Sequence, residues 1–117
     1  MSAPTPPPIT LQALPRVCNE ALILSALEGG PRHGYQLVLD LEERSGGAFR
    51  LRHGTLYPIL HRLEADGLIE GAWSDEGPRG RRKAYRLTAA GEAFAARQRQ
   101  DLVELLELVL RVVGGRA

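Results

Sequence analysis

The sequence predicts a mainly helical α+β domain with a small β-hairpin, followed by a long C-terminal helix. Three observations carry that prediction. Gly54-Thr55-Leu56-Tyr57-Pro58-Ile59-Leu60-His61-Arg62-Leu63-Glu64-Ala65-Asp66-Gly67-Leu68-Ile69 places an amphipathic helix directly before a strand. A basic turn, Arg79-Gly80-Arg81-Arg82-Lys83, leads into a returning strand that ends in Tyr85-Arg86-Leu87-Thr88. Near the C-terminus, from Leu102 to Val113, apolar residues run almost all the way round a helix. Helix, strand, basic turn and strand in that order describe a recognition helix with its wing, a winged helix-turn-helix.

At 117 residues the chain can bury one modest core and not two. Hydrophobic residues make up 44% and charged residues 25%, the balance of a globular domain. No apolar run reaches the roughly 18 residues of a membrane span, so no membrane partner is expected. The N-terminus lacks the basic and apolar regions of a signal peptide. The single cysteine, Cys18, excludes an internal disulfide framework and fits a reducing cytoplasm. Within its apolar run it is read as a small buried hydrophobe.

The net charge of +1 says little by itself, and the distribution says more. Between Arg44 and Leu63 stand Arg44, Arg50, Arg52 and Arg62 with no acid among them. Between Arg79 and Arg86 stand five basic residues, again without an acid. These two stretches hold nine of the fifteen Lys and Arg, a local footprint for a phosphate backbone.

The elements follow in order. Residues 1–8, with Pro4, Pro6, Pro7 and Pro8, read as a flexible tail. Ile9–Leu14 reads as a short helical turn before Pro15. Residues 16–28 form a helix apolar on most sides, stopped by Gly29-Gly30-Pro31. Residues 33–44 form a second helix with Tyr35, Leu37, Val38 and Leu41 turned inward, ended by Ser45-Gly46-Gly47. In the third, Leu56, Ile59, Leu60 and Leu63 make one apolar stripe at i, i+3, i+4 and i+7. Pro58 is tolerated there because the first turn has no partner for its missing N–H. Gly67 caps this helix, Leu68–Trp73 is a strand, and Arg82–Leu87 is its return. Gly77, Pro78 and Gly80 give the hairpin a long tip. Thr88 is the N-cap of the last helix, which runs to Val113 before Gly114-Gly115.

In that last helix the only polar residues from Leu102 onward are Glu104, Glu107 and Arg111. At about 100° per residue they share a stripe about 60° wide. The remaining apolar circumference needs covering, and a second copy of the helix is the expected cover, with Leu102, Leu105, Leu106, Val109, Leu110 and Val113 at the interface. The expected organisation is a tail at 1–8, a winged helix-turn-helix at 9–87, a dimerisation helix at 88–113 and a tail at 114–117.

The major groove is about 12 Å wide and admits one helix. With residues 54–66 in it, Thr55, Pro58, His61 and Arg62 face the bases and Tyr57 lies on the flank. Arg62 suits guanine or phosphate, Thr55 and His61 hydrogen-bond, and Pro58 offers van der Waals contact. Arg50 and Arg52 precede the helix and meet the backbone. The wing, residues 75–83, brings Arg79, Arg81, Arg82 and Lys83 to the minor groove or backbone. His33 and Tyr35 open the second helix, whose N-terminus favours phosphate.

Three segments also resemble a known family. They are His33-Gly34-Tyr35-Gln36-Leu37, Gly54 through Glu64, and Arg82-Lys83-Ala84-Tyr85-Arg86-Leu87-Thr88-Ala89-Ala90-Gly91. Together they resemble the PadR family of bacterial transcriptional regulators over about residues 17–95. The resemblance implies a winged helix-turn-helix homodimer on an inverted-repeat operator in double-stranded DNA. Such proteins are usually repressors, often of stress, detoxification or efflux genes. The single C-terminal helix resembles the smaller subfamily, some of whose members take flat aromatic drugs between the subunits, which implies a small-molecule effector. This chain departs from that pattern: its one tryptophan, Trp73, lies in the wing strand.

Other function classes find little support. His33, His53, His61, Asp40, Asp66 and Cys18 are the candidates for chemistry, and none stands in a metal-ligand or nucleophile motif. No enzymatic activity, metal or cofactor is expected. The competing reading is a winged-helix protein-interaction module whose basic surface meets another regulator.

Overall fold

The computed structural model describes residues 16–74 and 82–114. The tail at 1–8, the turn at Ile9–Leu14, residues 115–117 and the wing-tip residues Gly77, Pro78, Arg79, Gly80 and Arg81 lie outside the described residues. Along the described chain run α1 (Arg16–Leu27), β1 (Arg32–His33), α2 (Gly34–Arg44), α3 (His53–Ala65), β2 (Ile69–Ser74), β3 (Arg82–Leu87) and α4 (Ala89–Val113). The fold is mostly helical with a small antiparallel sheet in the order β1-β3-β2. The long hairpin pairs Ile69 with Leu87 at its base and Ser74 with Arg82 at its far end.

The apolar stripe of α3 is the centre of the core. Leu56, Ile59, Leu60 and Leu63 are all buried. They pack with Ile23, Leu24, Ala26 and Leu27 of α1, Leu37 and Leu41 of α2, and Ile69 and Tyr85 of the sheet. Burying α3 on that stripe turns its opposite side outward.

Three expectations change. His33 does not begin the second helix: Arg32 and His33 pair with Tyr85 and Ala84 as β1. A two-residue strand held by backbone pairing leaves no periodicity to read. Tyr35 is not inward but 62% exposed. On the helical wheel it stands well over 90° from the Leu37–Leu41 face that the core takes. Cys18 is half-buried, on a groove between α1 and α4 lined also by Ala21, Leu22, Phe49, Ala95, Leu102 and Leu106.

Two junctions fix how α3, the hairpin and α4 join. At the end of α3, Gly67 takes φ +74°, a conformation strained for any residue with a Cβ. The Leu68 N–H then reaches Leu63 O at 3.0 Å and the Gly67 N–H reaches Glu64 O at 3.0 Å, the paired bonds of a Schellman cap. The second junction joins the hairpin to α4. The Thr88 hydroxyl donates to Gly67 O at 2.7 Å and accepts the Gly91 N–H at 3.0 Å. The Thr88 N–H donates to Leu68 O at 3.1 Å. α4 buries Gly91, Ala95 and Gln98 against the body. Arg99 pairs with Glu28 beyond the end of α1. From Val103 to Gly114 every residue is exposed.

Candidate nucleic-acid interface

Antiparallel pairing of β2 with β3 carries the hairpin out beside the exposed side of α3 and the start of α2. The three elements enclose an open concavity of about 850 Å³. Its lining includes six of the residues singled out from sequence: His33, Tyr35, Tyr57, His61, Arg82 and Lys83. Gly34, Gln36, Trp73 and Tyr85 complete it. Trp73 is a residue the sequence reading placed in the strand without a role. It is 59% exposed and stands directly across from Lys83 in the ladder. Its parity with Ile69 and Gly71 puts it on the α3-facing side of the sheet, and that alternation was the available signal.

Thr55, Pro58 and His61 are exposed along the outer face of α3. Tyr57 is 40% exposed, and its ring stacks on His53 with centroids 5.8 Å apart. At the start of α2, Gln36 Oε1 accepts the His33 N–H at 2.8 Å, which ties strand to helix. Arg52 is exposed at the N-cap position of α3. Arg50 is 78% exposed at its side chain and lies 3.4 Å from Glu42.

Arg62 is engaged within the fold. Its guanidinium donates to Glu20 of α1 at 2.6 Å, with only 29% of the side chain exposed. On the wheel Arg62 falls between exposed Pro58 and buried Ile59, about 100° from His61, on the flank that meets α1. Burial lifts the Glu20 carboxyl above its ordinary pKa, while Arg16 pulls it back down. Replacing Arg62 by alanine leaves that carboxylate without its closest cation. The fold should lose about 1–2 kcal/mol, seen as a lower Tm, while the salt dependence of any DNA binding stays the same. An unchanged Tm with weakened DNA binding would return Arg62 to the open face.

The acid-free charge runs also look different once folded. Of the nine cations in them, Arg44, Arg50, Arg62, Lys83 and Arg86 each meet a carboxylate: Asp40, Glu42, Glu20, Glu64 and Glu70 respectively. Exposed pairs such as Arg50–Glu42 contribute little and exchange readily for a phosphate. The Lys83 pair differs, being 24% and 31% exposed at 2.9 Å. Their mutual hydrogen bond lowers the Glu64 pKa and raises that of Lys83. The Lys83 ammonium also lies 5.3 Å from the centre of the Tyr85 ring and 5.9 Å from that of Trp73. Burial raises the Tyr85 hydroxyl pKa, so it stays neutral. Arg79 and Arg81 lie outside the described residues, and among the described wing cations Arg82 is exposed.

Among the described residues no group of His, Cys, Asp and Glu has the geometry of a metal site, and no helix is long and apolar enough to cross a membrane.

Comparison with known proteins agrees with this architecture. The model of the transcriptional regulator PadR-like family matches residues 23–97. The chain is 46% identical over 78 residues to transcriptional regulator Rv3488 of Mycobacterium tuberculosis, covering 67% of this chain and 69% of that protein. Among solved structures, a PadR family transcriptional regulator from Eggerthella lenta superposes with a TM-score of 0.74 at 31% identity, over 84% of this chain and 83% of that one. Bacillus subtilis PadR in complex with operator DNA superposes with a TM-score of 0.63 at 27% identity, over 70% of this chain and 45% of that one.

Proposed function

Because the chain belongs to the PadR-like family of transcriptional regulators, and so to regulators rather than enzymes, we propose that it is a dimeric, sequence-specific DNA-binding repressor. One observation carries the reading most directly. The exposed face of α3, the N-terminus of α2 and the wing open onto one side of the molecule. Residues 54–66 enter the major groove, with Thr55, Pro58 and His61 against base edges. Tyr57, Arg50, Arg52, His33 and Tyr35 meet sugar and phosphate. The wing, with Arg82 and the neighbouring Arg79 and Arg81, follows the adjacent backbone. That a relative of this fold has been captured on operator DNA supports the same geometry here.

The unit at 9–87 reads DNA and the helix at 88–113 pairs two copies. Support comes from the apolar side chains of α4 that stand in solvent, among them Leu105 and Leu106 at 52%, Leu110 at 67% and Val113 at 78% exposed. Leu102 and Leu106 also border the groove between α1 and α4, a cavity of about 410 Å³. An effector held beside these helices would alter how the two reading units are spaced.

The test is titration of the purified protein against its own promoter DNA at two salt concentrations. Binding should weaken steeply with salt, and footprinting should find an inverted repeat with half-sites about one or two helical turns apart. Replacing Arg81 and Arg82 together by alanine should lower the salt slope by about two. An unchanged slope would take the wing off the DNA. No binding even at low salt would leave the protein-interaction module in its place.

A further inference from the structure

The wing is tied to the reading helix at one place where a carboxylate does two things. β2 is an edge strand, so alternate N–H groups along it point away from the sheet. The Gly71 N–H is one of these, and it donates to Glu64 Oε2 at 3.0 Å. The other carboxylate oxygen, Oε1, accepts from Lys83 Nζ at 2.9 Å. Glu64 lies in the last turn of α3, Gly71 is on β2 and Lys83 is on β3. One side chain therefore spans the reading helix and both strands of the wing.

Gly71 leaves room for the lysine stem, which any larger residue would push off its line to Glu64. The Lys83 stem crosses directly over Gly71 to reach Glu64, and a Cβ at position 71 would stand 2.2 Å from Lys83 Cε. Charge-assisted bonds of this kind are stronger than neutral ones, and this pair is less exposed than the other wing pair, Arg86–Glu70, at 65% and 50%.

We propose that Glu64 is a positioning residue that sets the angle of the wing on α3, and that Lys83 acts on DNA through this tie rather than as a phosphate contact. The proposal rests on the DNA-binding reading above, and it divides the wing cations into two kinds. Arg82 faces solvent and neutralises phosphate. Lys83 is neutralised from within and holds the strands in place.

The experiment compares Glu64→Gln, Lys83→Met, the double variant and Arg82→Ala in the full chain, by operator binding across a salt series. Glu64→Gln and Lys83→Met should each weaken operator binding about tenfold, and the double variant should be no worse than either. The salt slope should stay at the wild-type value in Lys83→Met and fall by about one in Arg82→Ala. A slope that falls by about one in Lys83→Met, together with tighter binding in Glu64→Gln, would overturn the proposal and make Lys83 a phosphate contact. If wild-type protein binds no DNA, the DNA reading fails by itself. The tie is then judged by hydrogen exchange in the free protein: Glu64→Ala should strip protection from the Gly71 amide, and unchanged protection would sink the tie as well.

Discussion

Replacing Gly91 by alanine should destabilise the protein by about 3 kcal/mol or more, an overpacking loss at the upper end of the usual range. A Cβ at this position would stand 1.8 Å from the Leu68 carbonyl oxygen and 2.9 Å from its carbon. Both atoms are main chain, so no side chain can rotate out of the way. Leu68 is pinned from two directions, its N–H bonded to Leu63 O and its carbonyl accepting from Thr88. Relief would have to come from lifting the start of α4 off the hairpin, which breaks the Thr88 bonds to Gly67 O and Leu68 O. Helix propensity works the other way, since alanine gains about 1 kcal/mol over glycine in a helix interior. The sign of the result is therefore informative. Calorimetry at fixed protein concentration should show Tm falling by on the order of 10 °C. A Tm equal to or above that of the wild type would mean that the junction yields without cost.

If α4 pairs two copies as proposed, Leu106→Glu should yield monomers and lower operator affinity at least about a hundredfold, because two linked half-site readers become independent. Leu106 is 52% exposed in the single chain, so the substitution removes little packing within a protomer. At an apolar interface the same carboxylate would be desolvated without a partner, a strongly unfavourable state. Sedimentation should show monomers with a Tm set by the protomer alone. A persisting dimer would place the interface elsewhere on the surface. Loss of both dimer and fold would instead make α4 part of the protomer core.

What could be read from the sequence was what repeats along one dimension. The stripe of Leu56, Ile59, Leu60 and Leu63 is buried as its spacing required. Thr88 caps α4 as its position before an apolar-periodic run suggested. The β3 bounds at Arg82 and Leu87 were visible in composition. What escaped was contact between distant residues. Glu20 and Arg62 are 42 positions apart, and no local pattern joins them. The charge runs looked free of acids because carboxylates from other elements are brought in only by folding, as Glu64 is to Lys83. Tyr35 is exposed because its angle on the helix sets it apart from buried Leu37 and Leu41. Trp73 faces the same concavity, on the side that its alternation with Ile69 and Gly71 sets.

The junction at Thr88 has a mechanical consequence. Three hydrogen bonds and the Gly91 contact weld α4 to the base of the wing, so helix and reading unit turn as one body. Between Thr88 and Leu106 the helix is about 27 Å long at 1.5 Å per residue. In the proposed dimer, a tilt of roughly 5° where two such arms cross would therefore swing each reading unit by about 2–3 Å. Two arms moving in opposite senses would change the half-site separation by more than the 3.4 Å rise of one base pair. A few degrees at the crossing would thus be enough to put the second reader out of phase with its groove.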